Sequence, residues 1–362
     1  MGDVAIKSSP AGGTSVFNPT ISAALIVRNE GKFLEDCLAS LVGCVDEIVV
    51  VDTGSTDATI SIAERYKVKL IHHRWTGDFA AARNIALDAA TGDWILYIDA
   101  DERLRVPAGK ELAELLRGRQ VAAACVRFMP KSGFTRYREP RLFLNRQDIR
   151  FRGSIHETIM PDIERICSDF GFSIIMTEAM IDHLGYDGNQ DHKHPRNLPL
   201  LVAEVASSSA RAYYYYHLAE TLAALDRNEE AIRVGRQGID VARRNDGGKN
   251  RADASLIYQT LARLSPPGPE TLQLIEEGLE RVPYDHALRF LLACQLAQLN
   301  RHAEALPHLK VLQEIDPDTL GEGLLAFDRR IFNTFAWQLT GTCLMATGDR
   351  AGALRAFRAA AD

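Results

Sequence analysis

The sequence is short of several things, and each shortage excludes something. None of its 362 residues belongs to an apolar run near the ~20 that a membrane-crossing helix needs, so no membrane span is expected. Positive charge is not in excess. The formal net charge of −6 gives no general attraction to nucleic acid or anionic membrane, so any phosphate must be held locally. The six cysteines (Cys37, Cys44, Cys125, Cys167, Cys294 and Cys343) are scattered without a C-x-x-C pair. Reduced, mostly buried thiols in a cytoplasmic protein are expected. The first 20 residues, MGDVAIKSSPAGGTSVFNPT, lack an apolar stretch and are rich in Gly, Ser, Thr and Pro. They read as a flexible leader over residues 1–20 and not as a signal peptide.

What is present is ordinary globular material: 46% hydrophobic and 25% charged residues, enough chain for two domains. From Ile21 to Leu104, short runs rich in Val and Ile (ISAALIV, EIVVVD, VKLIHH, WILYID) alternate with amphipathic stretches at Phe33–Val42, Asp57–Tyr66 and Phe79–Ala90. Leu34, Leu38 and Leu41 make one helical stripe; Phe79, Ala82, Ala86 and Leu87 make another. Strands alternating with helices predict a parallel sheet with right-handed crossovers, which binds ligands beyond the carboxyl ends of its strands. Three of those ends are polar: Arg28-Asn29-Glu30, Asp52-Thr53-Gly54-Ser55 and Asp99-Ala100-Asp101.

The last of these is the sharpest. In WILYIDADERL, an apolar run ends in two aspartates one residue apart. Such a pair can share a hard cation such as Mn²⁺ or Mg²⁺ with phosphate oxygens. The same spacing recurs at Asp316-Pro317-Asp318, which falls in a helical turn and carries no chemistry; position at a strand end separates the two. Residues 121–183 alternate β-like runs with basic residues and read as mixed sheet completing the same domain. Arg136, Arg138, Arg141, Arg150 and Arg152 there either neutralise a diphosphate or are solvated loop charges.

Beyond about Asp191 the pattern is helical and repetitive. Tyr284–Pro317 is one unit ending in Pro, and Pro283 ends the unit before it, 34 positions earlier. That period with helix–turn–helix units resembles tetratricopeptide repeats. The match is poor at Asn245–Pro269, where Gly and Pro interrupt. The expected layout is a leader at 1–20, an α/β domain at 21–190 and an all-α repeat domain at 191–362.

The segments ALIVRNEGKFLEDCLASLVGCVDEIVVVDTGSTDATISIAERY and DFAAARNIALDAATGDWILYIDADE resemble the nucleotide-sugar half of family 2 glycosyltransferases of the GT-A fold. Fainter similarity continues through RLFLN, FRGSIHETI and IDHLGY; the whole layout is similar to bacterial members with tetratricopeptide-like C-termini, peptide glycosyltransferases among them. The resemblance implies a nucleoside diphosphate-sugar donor, with UDP as the nucleotide, and a peptide, protein or glycan acceptor. It puts nucleoside contacts at Arg28, Asn29 and Glu30, although Val-Arg-Asn-Glu stands where many members have Pro-x-Tyr-Asn. Asp52 would accept from the base N–H, or serve as an N-terminal cap before Thr56-Asp57, and Gly54 would permit a tight turn there. Arg83 would grip phosphate or carboxylate, or form a surface ion pair. Asp99 and Ala100 would meet the donor, with Asp99 also toward the metal held by Asp101. His183 is the further metal ligand by this resemblance, with His192 and His194 as competitors; His72 and His73, adjacent on a strand, point opposite ways and are not expected to ligate. For inversion, a base outside the nucleotide half deprotonates the acceptor. Glu157 is the candidate, His156 its neighbour, with Glu139 or Asp148 next. The repeats would recognise the acceptor, form a homodimer, or both; Leu354 and Phe357 mark an apolar face at the last helix. The rival readings are a peptide-binding repeat scaffold with a degenerate transferase domain, and a nucleotidyltransferase.

Overall fold

The Val- and Ile-rich runs form strands because branched side chains suit a pleated surface covered on both faces. The structure, a computed structural model, describes residues 18–117, 120–130, 133–185, 193–207, 211–244 and 251–361. Most of the expected leader (1–17) and His192 lie outside them. Asn18–Thr20, read with the leader, are anchored: Thr20 donates through both N and Oγ1 to the Asp93 carboxylate.

The first half alternates as expected: β1 (Ile21–Val27), α1 (Leu34–Leu41), β2 (Glu47–Asp52), α2 (Thr59–Arg65), β3 (Lys69–His72), α3 (Phe79–Ala89) and β4 (Trp94–Tyr97). Strands β3, β2, β1 and β4 are parallel neighbours in that order. Their alternation sorts the core onto two faces. Ile21, Ala23 and Leu25 pack with the Leu34, Leu38 and Leu41 stripe of α1, while Ala24, Val49 and Val51 pack with Ala86 and Leu87 of α3.

The remaining strands are β5 (Glu102–Arg105), β6 (Val121–Met129), β7 (Tyr137–Leu144) and β8 (Ser173–His183), with the short α4 (Leu112–Leu115) and α5 (Met160–Phe170) between them. They extend one eight-stranded mixed sheet in the order β3-β2-β1-β4-β7-β6-β8-β5. β7 runs antiparallel to β4 and β6; its pairing shifts register where Pro140, with no N–H to donate, meets Cys125. Two elements went unexpected. β5 follows directly on the aspartate pair, and α5 lies within the stretch expected as mixed sheet. Yet α5 announces itself by Pro161 in its first turn, Gly171 after its end (φ 69°) and the buried Ile163 and Ile166.

After β8 only helices occur among the described residues, and the expected boundary near residue 190 falls in the gap before α6 (Lys193–Val205). Hairpins follow: α7 (Ala212–Ala224) with α8 (Asn228–Arg244), α9 (Arg251–Leu264) with α10 (Pro269–Arg281), α11 (His286–Gln298) with α12 (His302–Gln313), and α13 (Thr334–Ala346) with α14 (Arg350–Ala359). Within Asn245–Pro269, where the repeat pattern matches poorly, the described residues form α9 and the start of α10. Pro269 occupies the first turn of α10, where its missing N–H costs nothing, so it starts a helix instead of stopping one. Asp316 accepts from the N–H of Asp318 in a turn, and Asp318 pairs with Arg329, as befits a D-x-D without chemistry.

The two halves are joined in two places. Between α12 and α13, residues 314–333 reach back to β7: Thr135 N donates to Phe327 O at 2.8 Å and Arg138 N to Gly323 O at 2.8 Å. At the other, Ile155 of the sheet half packs with Leu201 of α6 and Tyr214 and Leu218 of α7.

Candidate active site

A cleft of about 920 Å³ opens at the carboxyl ends of β1 and β4. Of the expected site residues, Arg28, Asn29, Glu30, Arg83, Asp99, Ala100, Asp101, His156, Glu157 and His183 all line it. Asn29 adopts a left-handed conformation (φ 56°), which asparagine tolerates better than most residues. Its N–H donates to Ser55 Oγ and its Oδ1 accepts from Thr56 N, so the loops after β1 and β2 are stitched together.

Asp52 and Gly54 are not among the lining residues. The Asp52 side chain is buried and accepts from the N–H groups of Gly54 and Ser55, with Gly54 at φ 108° completing the turn. These bonds close the turn directly after β2; Asp52 does not cap α2, whose N-cap is Ala58. Thr53 reaches the cleft in place of Asp52.

The aspartate pair is held from behind. Asp99 N donates to Glu102 Oε2 at 2.8 Å, and Glu102 is gripped through both oxygens by Arg141, at 3.0 and 2.7 Å. Burial pushes the Glu102 carboxyl up to about 7, against the pull of Arg141. The Arg141 guanidinium also lies over the rings of Tyr97 and Phe128. Register explains the next contact. β5 pairs antiparallel with β8, Glu102 opposite His183, and Leu184 N donates to Asp101 O. That brings Asp101 Oδ2 within 3.2 Å of His183 Nε2. The hydrogen bond accepted by the Asp101 carboxylate raises the His183 pKa above its ordinary value, outweighing burial.

Asp101 and His183 thus form an oxygen–nitrogen pair on the cleft, a donor set that suits Mn²⁺ or Mg²⁺ when phosphate and water fill the other positions. Among the described residues no group of three or more His, Cys, Asp or Glu stands close enough to hold a metal. Asp99 is engaged elsewhere, by Arg83. His194, His72 and His73 do not line the cleft.

Arg83 is the hub. Asp78 caps α3 by accepting from Ala81 N, and the helix carries Arg83 into the floor of the cleft, 8% exposed. Its Nη2 donates to Asp99 Oδ1 at 2.8 Å and its Nε to Glu157 Oε1. Burial opposes the charge of Arg83, but Asp99 and Glu157 hold it firmly protonated. Burial likewise opposes ionisation of Asp99; Arg83 and Arg141 overcome it and keep the carboxyl below the usual range. Nη1 of Arg83 is buried with no hydrogen-bond partner among the described residues. His156, at φ 51°, stacks on His217 of α7, and burial drives its pKa down to about 4, so its imidazole is neutral near pH 7.

The basic cluster is corrected. Only Arg141 of the five lines the cleft. Arg136 donates to Asp318 O, Arg138 pairs with Glu322, Arg150 with Asp88 and Arg152 with Asp162. Of the two reserve bases, Glu139 lines the cleft beside Arg141, whereas Asp148 is tied to Arg146 and Arg165. Sequence reasoning missed Glu102 as the brace of the aspartate loop, and Tyr213, Arg196 and Asn197, which the helical half contributes to the lining. Nothing in their local pattern marks these three; only the packing of α6 and α7 brings them there.

Polar strand ends, an aspartate pair and a buried arginine thus converge on one cleft at the edge of a mixed sheet. Residues 22–180 match the family model of glycosyl transferase family 2. A TPR repeat-containing protein of Synechococcus elongatus is 47% identical over 141 residues, 38% of this chain and 35% of its own length. The glycosyltransferase SunS of Bacillus subtilis is 26% identical over 267 residues, 71% of this chain and 62% of its own. The chain therefore spans less than two thirds of the length of these relatives, at 35% and 62%. Among solved structures, S. aureus TarS 1–349 in complex with UDP-GlcNAc overlays with a TM-score of 0.38 at 15% identity, over 79% of this chain and 90% of that one.

Proposed function

We propose that the chain is an inverting glycosyltransferase that takes its sugar from a nucleoside diphosphate-sugar, UDP being the nucleotide, with a divalent Mn²⁺ or Mg²⁺ ion. The observation that carries this is Arg83, whose two edges bind Asp99 and Glu157 in one cleft while Nη1 is left for an anion. An unsatisfied buried guanidinium N–H is costly, and a phosphate oxygen relieves it with a charge-assisted hydrogen bond. Arg28, Asn29 and Glu30 line the nucleoside side, and Asp101 with His183 would hold the cation. When bound, the cation supplies Lewis-acid stabilisation of charge on the departing diphosphate. Glu157 accepts the acceptor's proton, and its contact with Arg83 fixes the carboxylate that does so. The neutral His156 beside it orients the acceptor. That acceptor is a peptide, protein or glycan, and the helical half supplies part of its wall through Tyr213, Arg196 and Asn197. Six free thiols accord with a cytoplasmic setting.

The test is UDP release by the purified protein across a panel of UDP-sugars, with Mn²⁺ and with EDTA. Metal-dependent release from one sugar supports the reading. No release from any, with the fold intact, would leave a scaffold carrying a degenerate transferase domain.

A further inference from the structure

The candidate base sits in a loop held from both halves of the chain; from the sheet half, Phe79 N donates to Ser154 O at 2.9 Å. Arg152 and Thr158 exchange backbone hydrogen bonds at 3.0 Å, closing a loop over residues 153–157. Two of its residues are left-handed, Gly153 at φ 97° and His156 at φ 51°. Glycine adopts that geometry freely; for histidine it costs on the order of 1 kcal/mol and persists only where surroundings impose it.

The contacts around His156 itself come from α6 and α7. Ser154 donates through N and Oγ to Glu204 of α6. Ile155 is buried against Leu201, Tyr214 and Leu218. The His156 ring lies flat on the His217 ring, centroids 3.5 Å apart and 12° from parallel, with Tyr213 edge-on to both at 5.8 and 4.4 Å. Both imidazoles are half-buried, and desolvation lowers the pKa of each below its ordinary value. On the far side of the loop Glu157 meets Arg83, so the carboxylate is set by two grips, one from each half of the chain.

We propose that His217 is a positioning residue for the Glu157 carboxylate, acting through the ring of His156 to hold the loop in its left-handed form. The helical half is then part of the catalytic apparatus and not only an acceptor module. This rests on Glu157 as the base, so the two must be tested side by side.

The experiment uses the full chain, with UDP release from its preferred UDP-sugar and UDP affinity by calorimetry. His217→Ala should lower kcat by about 10-fold or more, since ångström-scale misplacement of a catalytic group costs up to ~10²-fold. The donor KM and UDP affinity should stay within about twofold. His217→Phe keeps a flat ring on His156 and should recover most of the loss. Unchanged kcat in His217→Ala overturns the proposal. So does a fall in UDP affinity matching the fall in kcat, which would make His217 a general fold residue, or a folded phenylalanine variant no better than alanine. Glu157→Gln is the control: full activity there removes the base reading, whereas its inactivity beside an active His217→Ala removes this proposal alone.

Discussion

Asp101 Oδ2 and His183 Nε2 stand 3.2 Å apart, joined by one shared proton, although 82 positions separate them in sequence. If a cation replaces that proton, binding it must displace the proton from His183. Because Asp101 raises the His183 pKa, the competition reaches further toward neutral pH than for an ordinary histidine. Calorimetry of Mn²⁺ with UDP in buffers of different ionisation enthalpy should show proton release, growing as pH falls. Asp101→Ala should abolish the metal dependence of UDP binding. Equal UDP affinity in Mn²⁺ and EDTA for the native protein would reject the metal role.

Glu157→Gln preserves shape but cannot take a proton. It should lower kcat by ~10²–10⁴-fold while UDP affinity changes little. A glutamine variant with native turnover would move the base to Glu139, which lines the same cleft.

The parallel half of the sheet was legible because burial on both faces writes itself as runs of Val and Ile, and ligand residues fall where the runs stop. Six of the expected residues, Arg28, Asn29, Glu30, Asp99, Ala100 and Asp101, meet in one cleft for that reason. What stayed hidden is long-range. Glu102 reads as a solvent charge after an aspartate pair, until β5 turns it against Arg141, 39 positions away. Asp52 reads as a ligand because it ends a strand, yet its oxygens are consumed by the next two N–H groups. Tyr213 belongs by local pattern to an ordinary helix; only the docking of α7 on the 153–157 loop gives it a place in the site.

The Arg141–Glu102 pair should be the costliest to break in the sheet half. Both side chains are buried, and removing one partner leaves an uncompensated group, at about 3–5 kcal/mol. Arg141→Met should lower the urea midpoint of unfolding accordingly. Arg141→Met with Glu102→Gln should recover much of the loss, because the remaining amide carries no charge. Equal destabilisation of the single and double variants would show that the arginine's packing on Tyr97 and Phe128, not its charge, is what matters.

Acid should weaken the fold before most carboxylates titrate. Burial lowers His156 and His286 to about 4, and moves His217 and His308 down as well. Each is then neutral in the folded chain at a pH where the unfolded chain binds a proton. Their contribution is present above pH 6.5 and is lost as pH falls from there toward 4. Glu102 and Asp285 work the other way, being raised by burial, so the folded state holds their protons more tightly within this range. Four lowered groups outnumber two raised ones. The free energy of unfolding should therefore drop between pH 6.5 and pH 4, by about 1.4 kcal/mol per pH unit for each net proton the unfolded chain gains. Denaturant titrations at several pH values measure that slope. In His217→Phe one of the lowered groups is gone, and the slope should become shallower. A steeper slope in that variant, or stability that rises as pH falls through this window, would mean the stacked histidines are not buried as neutral rings.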